Sequence, residues 1–189
     1  IISSSNFIQI GSKILLYFTN SKLHISKDFP FNFIKYESNF KSNKTYLEFF
    51  KVLISSLKEV KERESIFFPI SESNFSLINS INGFRTIVLD SNLIQLGKIS
   101  LQSLVFSLNT MNFFVRNCKV YGNIILSSDS KLFRLAVDNN LENLTMTVQG
   151  SFFISNRVAL GGIVFLSTNN YSNFLGIIFL NNMVIANMA

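Results

Sequence analysis

From residue 84 onward, short apolar runs alternate with Asn, Ser, Gly and Asp. The runs are Thr86–Leu89, Ile99–Leu101, Leu104–Phe106, Phe113–Val115, Ile124–Leu126, Leu144–Val148, Phe152–Ile154, Gly162–Leu166 and Ile177–Leu180. Runs of this length every ~8–12 residues predict an all-β segment rather than alternating helix and strand. Ile14–Phe18 is one further strand-like run, and residues 21–44 mix Lys, aromatics and turn formers around Asp28-Phe29-Pro30. That region predicts irregular structure with short extended pieces. Residues 45–64 carry a different pattern. Tyr46, Phe49, Phe50, Leu53, Leu57 and Val60 recur at three- and four-residue spacings behind Thr45-Tyr46-Leu47-Glu48, which has the form of a capping box. The spacing predicts an amphipathic helix over 45–64 that docks its apolar stripe on this chain or an immediate partner. Pro69 marks a stop after it.

Superimposed on the apolar runs is a spacing of polar residues. Asn-x4-Gly occurs as Asn6/Gly11, Asn92/Gly97, Asn117/Gly122 and Asn156/Gly161, the last followed by Gly162. With 23 Asn among 189 residues and 8 Gly, chance gives about one such pair. In three of the four, an isoleucine follows two residues after the glycine, at Ile99, Ile124 and Ile163. We read these positions as structural corners of a degenerate repeat. Stacked corners suit Asn, which tolerates left-handed backbone angles and can hydrogen-bond along a stack, and Gly, which takes bends where a Cβ would clash. The resulting expectation is a mainly β chain, a right-handed parallel β-helix (solenoid), with Asn92, Asn117 and Asn156 at equivalent corners. The N-terminal segment 1–84 is expected to be mixed α+β, its helix an insertion or cap. Residues 85–189 are expected to hold the coils and to continue beyond 189.

Composition changes this picture in two places. The 21 Phe, the many Asn and Ile, and only 2 Pro resemble the product of an AT-rich genome, although bias alone imposes no fixed spacing. Net charge is +6, yet residues 158–189 contain no charged side chain. A tail of that kind is buried on several sides, covered by a partner or placed in lipid. The single Cys118 cannot form an intramolecular disulfide, and no Cys/His cluster has metal-ligand spacing.

Three Phe-x-x-Asn elements, Phe114–Asn117, Phe153–Asn156 and Phe179–Asn182, together with Gly161-Gly162-Ile163, resemble the repeats of polymorphic outer-membrane proteins. Repeats of this kind also occur in very large surface proteins of protists with AT-rich genomes. The resemblance covers roughly residues 105–189 and implies a right-handed parallel β-helix with adhesive or structural roles.

Candidate chemistry is sparse. The one histidine, His24, has no nucleophile elbow near it in sequence. Asp129, Asp138 and Glu142 are the acids available for a sugar or metal site between coils, but loop solvation is the favoured reading of them. Lys35, Lys41 and Lys44 interleave with Tyr36, Phe40 and Tyr46, but the charge density falls short of a nucleic-acid footprint. Sequons for glycosylation stand at Asn43, Asn74, Asn143 and Asn170, about the number that chance supplies. No catalytic, cofactor or metal site is therefore expected. The function expected is that of a non-catalytic structural or adhesive fragment of a larger surface or filament protein, at the cell surface or outside the cell. Its partners would be further coils, in the same chain or in neighbouring subunits, with glycans in addition and no nucleic acid. The alternative is an accessory subunit of an organellar, mitochondrial membrane complex, whose test is a continuous apolar helix over 174–189.

Overall fold

The computed structural model describes residues 6–10, 15–24, 32–37, 45–55, 75–96, 100–125, 131–137, 144–158, 163–168 and 174–185. Within them the chain forms twenty strands, and no described residue is helical. The strands come in six successive passes. The first holds β1 (Asn6–Ile10), β2 (Leu15–Thr19) and β3 (Lys22–His24), and the second β4 (Asn32–Glu37), β5 (Tyr46–Phe50) and β6 (Leu53–Ser55). The third holds β7 (Phe75–Ile81), β8 (Thr86–Asp90) and β9 (Leu93–Gln95), and the fourth β10 (Ser100–Leu108), β11 (Asn112–Arg116) and β12 (Lys119–Tyr121). The fifth comprises β13 (Ile124–Ile125), β14 (Phe133–Val137), β15 (Leu144–Gln149) and β16 (Phe152–Ile154). The sixth comprises β17 (Arg157–Val158), β18 (Val164–Thr168), β19 (Phe174–Leu180) and β20 (Met183–Ile185).

Each pass contributes to the same three sheets in the same order. The first sheet runs β1-β4-β7-β10-β13-β17, with β14 joining β10 to β18. The second is β2-β5-β8-β11-β15-β19 and the third β3-β6-β9-β12-β16-β20. Every pairing is parallel. Parallel neighbours need a long crossover, usually helical. Here the crossover is the visit to the other two sheets. Successive strands of one sheet are therefore one pass apart in sequence.

The register converts period-two alternation into continuous apolar columns. On the second sheet, Leu16, Leu47, Ile87, Phe113, Met146 and Ile177 align, as do Phe18, Phe49, Leu89, Val115, Val148 and Phe179. On the third, Leu23, Ile54, Ile94, Val120, Phe153 and Val184 form a column. The first sheet adds Ile34, Ile78, Val105, Phe133 and Val164. The interior members of all these columns belong to one buried cluster. Each buried Leu, Ile, Val or Phe is worth about 1.5–3 kcal/mol over exposure, so the columns carry most of the favourable energy. Rings contact along and across them: Phe18 stacks on Phe49 at 4.7 Å, and Phe133 meets Phe113 and Phe153 edge-on at 5.4 and 6.0 Å.

One sequence expectation is corrected here. Residues 46–50 and 53–55 are strands β5 and β6, not the first turns of a helix over 45–64, whose remainder lies outside the described residues. Two short alternating runs split by a bend mimic helical spacing. Leu47 and Phe49 point inward, Lys51 turns the chain with φ 53°, and Val52 and Ile54 point inward again. Phe50 and Leu53, assigned to the helix stripe, are only half-buried. Thr45 is not a helix cap: its hydroxyl donates to the Gly83 carbonyl (2.6 Å) and accepts the Arg85 N–H (3.0 Å). Strands β1–β7 pair into the same three sheets as β8–β20. Phe174–Leu180 and Met183–Ile185 are strands, so the described residues do not form the continuous helix that the organellar alternative requires.

Candidate functional site

The most regular feature of the molecule is the corner between the second and third sheets. It is made of two residues in every pass. The first of each pair has a left-handed backbone: Asn20 (φ 47°), Lys51 (53°), Ser91 (56°), Asn117 (51°), Gly150 (59°) and Asn181 (51°). These residues are separated by 31, 40, 26, 33 and 31 positions, so pass length varies while the corner does not. Each left-handed N–H donates to the carbonyl before the next corner, as in Asn20 N to Phe50 O (3.0 Å) and Gly150 N to Leu180 O (2.9 Å). The opening residue of each third-sheet strand donates backward, as in Leu53 N to Ser21 O (2.9 Å) and Met183 N to Ser151 O (2.9 Å).

The second residue of the pair is Ser21, Val52, Asn92, Cys118, Ser151 or Asn182. Where it is polar and within the stack, it ties one pass to the one before. Asn92 is buried, accepts the Val52 N–H at Oδ1 (2.9 Å) and donates from Nδ2 to Phe49 O (2.8 Å). Asn182 repeats this on Ser151 N (3.0 Å) and Val148 O (2.8 Å). Ser151 Oγ accepts the Cys118 N–H at 3.1 Å. Burial pushes the Cys118 thiol up to about 11, and it lies 3.2 Å from Arg116 O and 3.3 Å from Leu89 O. A thiol held neutral in that way is a small hydrogen-bonded core group rather than a nucleophile.

A second corner, between the third and first sheets, is built on Gly122 (φ 62°) and Ser155 (φ 52°). Asn123 and Asn156 follow them and stack directly. Asn156 Oδ1 accepts both Asn123 Nδ2 (2.9 Å) and Asn123 N (3.1 Å), and Asn156 Nδ2 donates to Val120 O (3.0 Å). Between the first and second sheets, left-handed Asn82 and Asn109 pair through their side chains at 2.6 Å.

The asparagines singled out from the sequence therefore do not share one corner. Asn92 and Asn117 stand at the same corner one position out of step, Asn156 stands at another, and Asn6 lies in β1. Asn117 and Gly122 are left-handed residues at opposite ends of β12, so their spacing measures a three-residue strand with its corners. Gly11, Gly97, Gly161 and Gly162 lie outside the described residues, as do Asn43, Asn74, Asn143, Asn170, Asp129, Asp138 and Glu142. The three Phe-x-x-Asn elements fall at different registers: Phe114 points outward, whereas Phe179 and Phe153 occupy inward columns on two sheets. Sequence reading missed Asn123, the partner that completes the Asn156 stack, and the left-handed positions Lys51 and Ser91, and it marked Asn182 only as the end of a Phe-x-x-Asn element. A row spelled Asn, Lys, Ser, Asn, Gly, Asn carries no motif.

Little else on the surface is organised for chemistry. Among the described residues no group of three His, Cys, Asp or Glu could hold a metal ion. His24 closes β3. Tyr36 is buried against Phe84, while Lys35 beside it is half-buried on the opposite face, and Lys41, Lys44 and Phe40 are outside the described residues. Tyr46 donates to Glu48 Oε2 (3.0 Å), and burial together with that bond pushes its phenol up to about 12. Outward aromatics are covered by cations: Arg116 over Phe114 (4.6 Å), Lys51 over Phe50 (5.1 Å) and Arg134 over Phe106 (5.5 Å).

The sixth pass is different. Inward Ile177, Phe179 and Val184 are 43, 54 and 60% exposed, whereas Met146, Val148 and Phe153, their partners in the fifth pass, are 0, 0 and 2% exposed. Outward Ile178, Leu180, Met183 and Ile185 are exposed as well. Among the described residues, exposed apolar side chains are thus concentrated on the sixth pass. Compared with known protein families, curated proteins and solved structures, the chain matches none.

Proposed function

We propose that the three parallel sheets close into a right-handed parallel β-helix, and that this coil is a non-catalytic structural or adhesive rod of a larger surface or filament protein. The observation that carries the reading is the row of left-handed corners between the second and third sheets, repeated in all six passes. A single bend recurring once per pass, with the strands on either side in constant register, is what winding one coil on another requires. Right-handed winding follows the general preference of parallel crossovers.

The rest of the chemistry supports a scaffold. The buried polar residues of the corners, Asn92, Asn123, Ser151 and Asn156, are spent on hydrogen bonds between passes. A solenoid leaves its outer faces for adhesion, and glycans are the ligand class we assign to them. Placement at the cell surface or outside the cell is part of the same proposal. Immuno-electron microscopy on intact, non-permeabilised source cells tests it. Labelling of the surface or of surface filaments is expected. Labelling that needs permeabilisation and follows mitochondria would overturn the proposal in favour of an organellar membrane-complex subunit.

A further inference from the structure

The outer face of the second sheet holds a side-chain cluster that the stacking of passes does not use. On β5, β8 and β11 the register aligns Glu48, Val88 and Phe114 in one outward row and Phe50, Asp90 and Arg116 in the next. Each of these strands has a paired strand on both sides, so the cluster lies within the stack. Val88 is its low point. It points outward yet is only 6% exposed, so the face dips there between Glu48 on one strand and Phe114 on the other. These two walls stand two strand spacings apart, roughly 10 Å.

The polar groups around the dip are held in place but not used up. Tyr46 donates to Glu48 Oε2 (3.0 Å), and no bond among the described residues takes Oε1. Ser91 Oγ donates to Asp90 Oδ1 (2.7 Å), and Oδ2 is likewise untaken among them. Arg116 aligns with Asp90, yet its guanidinium lies over one face of the Phe114 ring at 4.6 Å. Two carboxylates against one guanidinium make the dip net negative on a chain whose net charge is +6. An anionic ligand is therefore repelled from this place, although the chain as a whole attracts one.

The complement of such a dip is uncharged, rich in O–H donors and apolar on one face. A pyranose ring meets all three conditions. Its hydroxyls donate to Glu48 Oε1 and Asp90 Oδ2 in charge-assisted bonds, and Arg116 donates to a further sugar oxygen. Its C–H face lies on Val88 and on the side of the Phe114 ring that Arg116 leaves open, where the ring's negative face attracts it. We propose that this dip binds one sugar unit of an uncharged glycan. The inference rests on the reading of the outer faces as glycan-adhesive and gives that adhesion a place and a ligand class.

Calorimetric titration of the full chain tests it, with neutral hexasaccharides of glucose, mannose, galactose and N-acetylglucosamine as probes and a heparin hexasaccharide as the anionic one. Glu48→Gln and Asp90→Asn are the site variants, Lys119→Gln on the third sheet is the control, and circular dichroism is recorded on each. At least one neutral probe is expected to bind the wild type. Each site variant should weaken that binding roughly tenfold, as the loss of one charge-assisted hydrogen bond requires. Lys119→Gln should leave it unchanged. Neutral binding that survives both site variants overturns the inference, and so does a chain that binds heparin alone; either result leaves glycan adhesion standing on another face. A folded chain that binds none of these sugars overturns the inference together with the glycan assignment.

Discussion

Asn156 shows how much a single corner side chain does. It satisfies two donors on Asn123 and one acceptor on Val120, all in the interior. Truncation removes this partner from the buried Asn123 N–H and Val120 carbonyl, while Asn123 Nδ2 keeps Tyr121 O and Ile94 O, and each unmatched group costs about 1–3 kcal/mol. Asn156→Ala should therefore lower unfolding stability by about 2–4 kcal/mol in a urea titration, whereas Asn117→Gly, which removes an exposed side chain and keeps the left-handed angle, should cost far less than that. Cys118 gives a pH signature. Its folded pKa, about 11 through burial, lies above its ordinary 9.0. The stabilisation of the neutral thiol is complete below pH 9 and is lost as pH rises toward 11. Comparing urea midpoints of the wild type and Cys118→Ala from pH 8 to 11 should show a steeper loss in the wild type. The difference should reach about 2–3 kcal/mol.

At the scale of elements, β5 and β6 discriminate strand from helix by which phenylalanine matters. Phe49 is fully buried on Phe18, while Phe50 faces outward under Lys51. Phe49→Ala should cost about 3–5 kcal/mol and Phe50→Ala about 1 kcal/mol, since it loses partial burial and one exposed cation–π contact. An amphipathic helix with both rings on its docked stripe would make the two losses comparable. Thermal melts followed by circular dichroism decide between these outcomes. The segment adopts strands because β5 lies between β2 and β8 in one register. Those two neighbours satisfy its backbone groups and cover its inward side chains, which an isolated capping box cannot outweigh.

For the whole molecule, the consequence of constant register is a fixed rise per pass. Tyr17, Glu48, Val88, Phe114 and Thr147 occupy one outward column of the second sheet. At about 4.8 Å per strand, spin labels at Tyr17 and Thr147 should lie roughly 19 Å apart by pulsed electron resonance, in a Cys118→Ser background. A distance well outside that range would mean that the first and fifth passes do not stack as described. The same constant register carries the exposed columns of the sixth pass to the point where a further pass would seat.

The apolar runs were legible in the sequence because short apolar stretches bounded by Asn, Ser, Gly and Asp mark strands, and the nine runs after residue 84 overlap eight strands, two of them lying in β10. Three-residue strands such as β6, β9 and β12 are too short to show a period. The existence of Asn-rich corners was legible too, since left-handed backbone favours Asn and Gly. Their alignment was not. Which residue of each pass takes the left-handed angle depends on the strand it must join in the neighbouring pass. Lys51 and Ser91 accept that angle because the ladders on either side impose it. The sequence thus determined that the chain is mainly β and turns often. Pairing between residues 26 to 40 positions apart decided where each turn falls, because only there do the backbone donors of one pass meet the acceptors of the next.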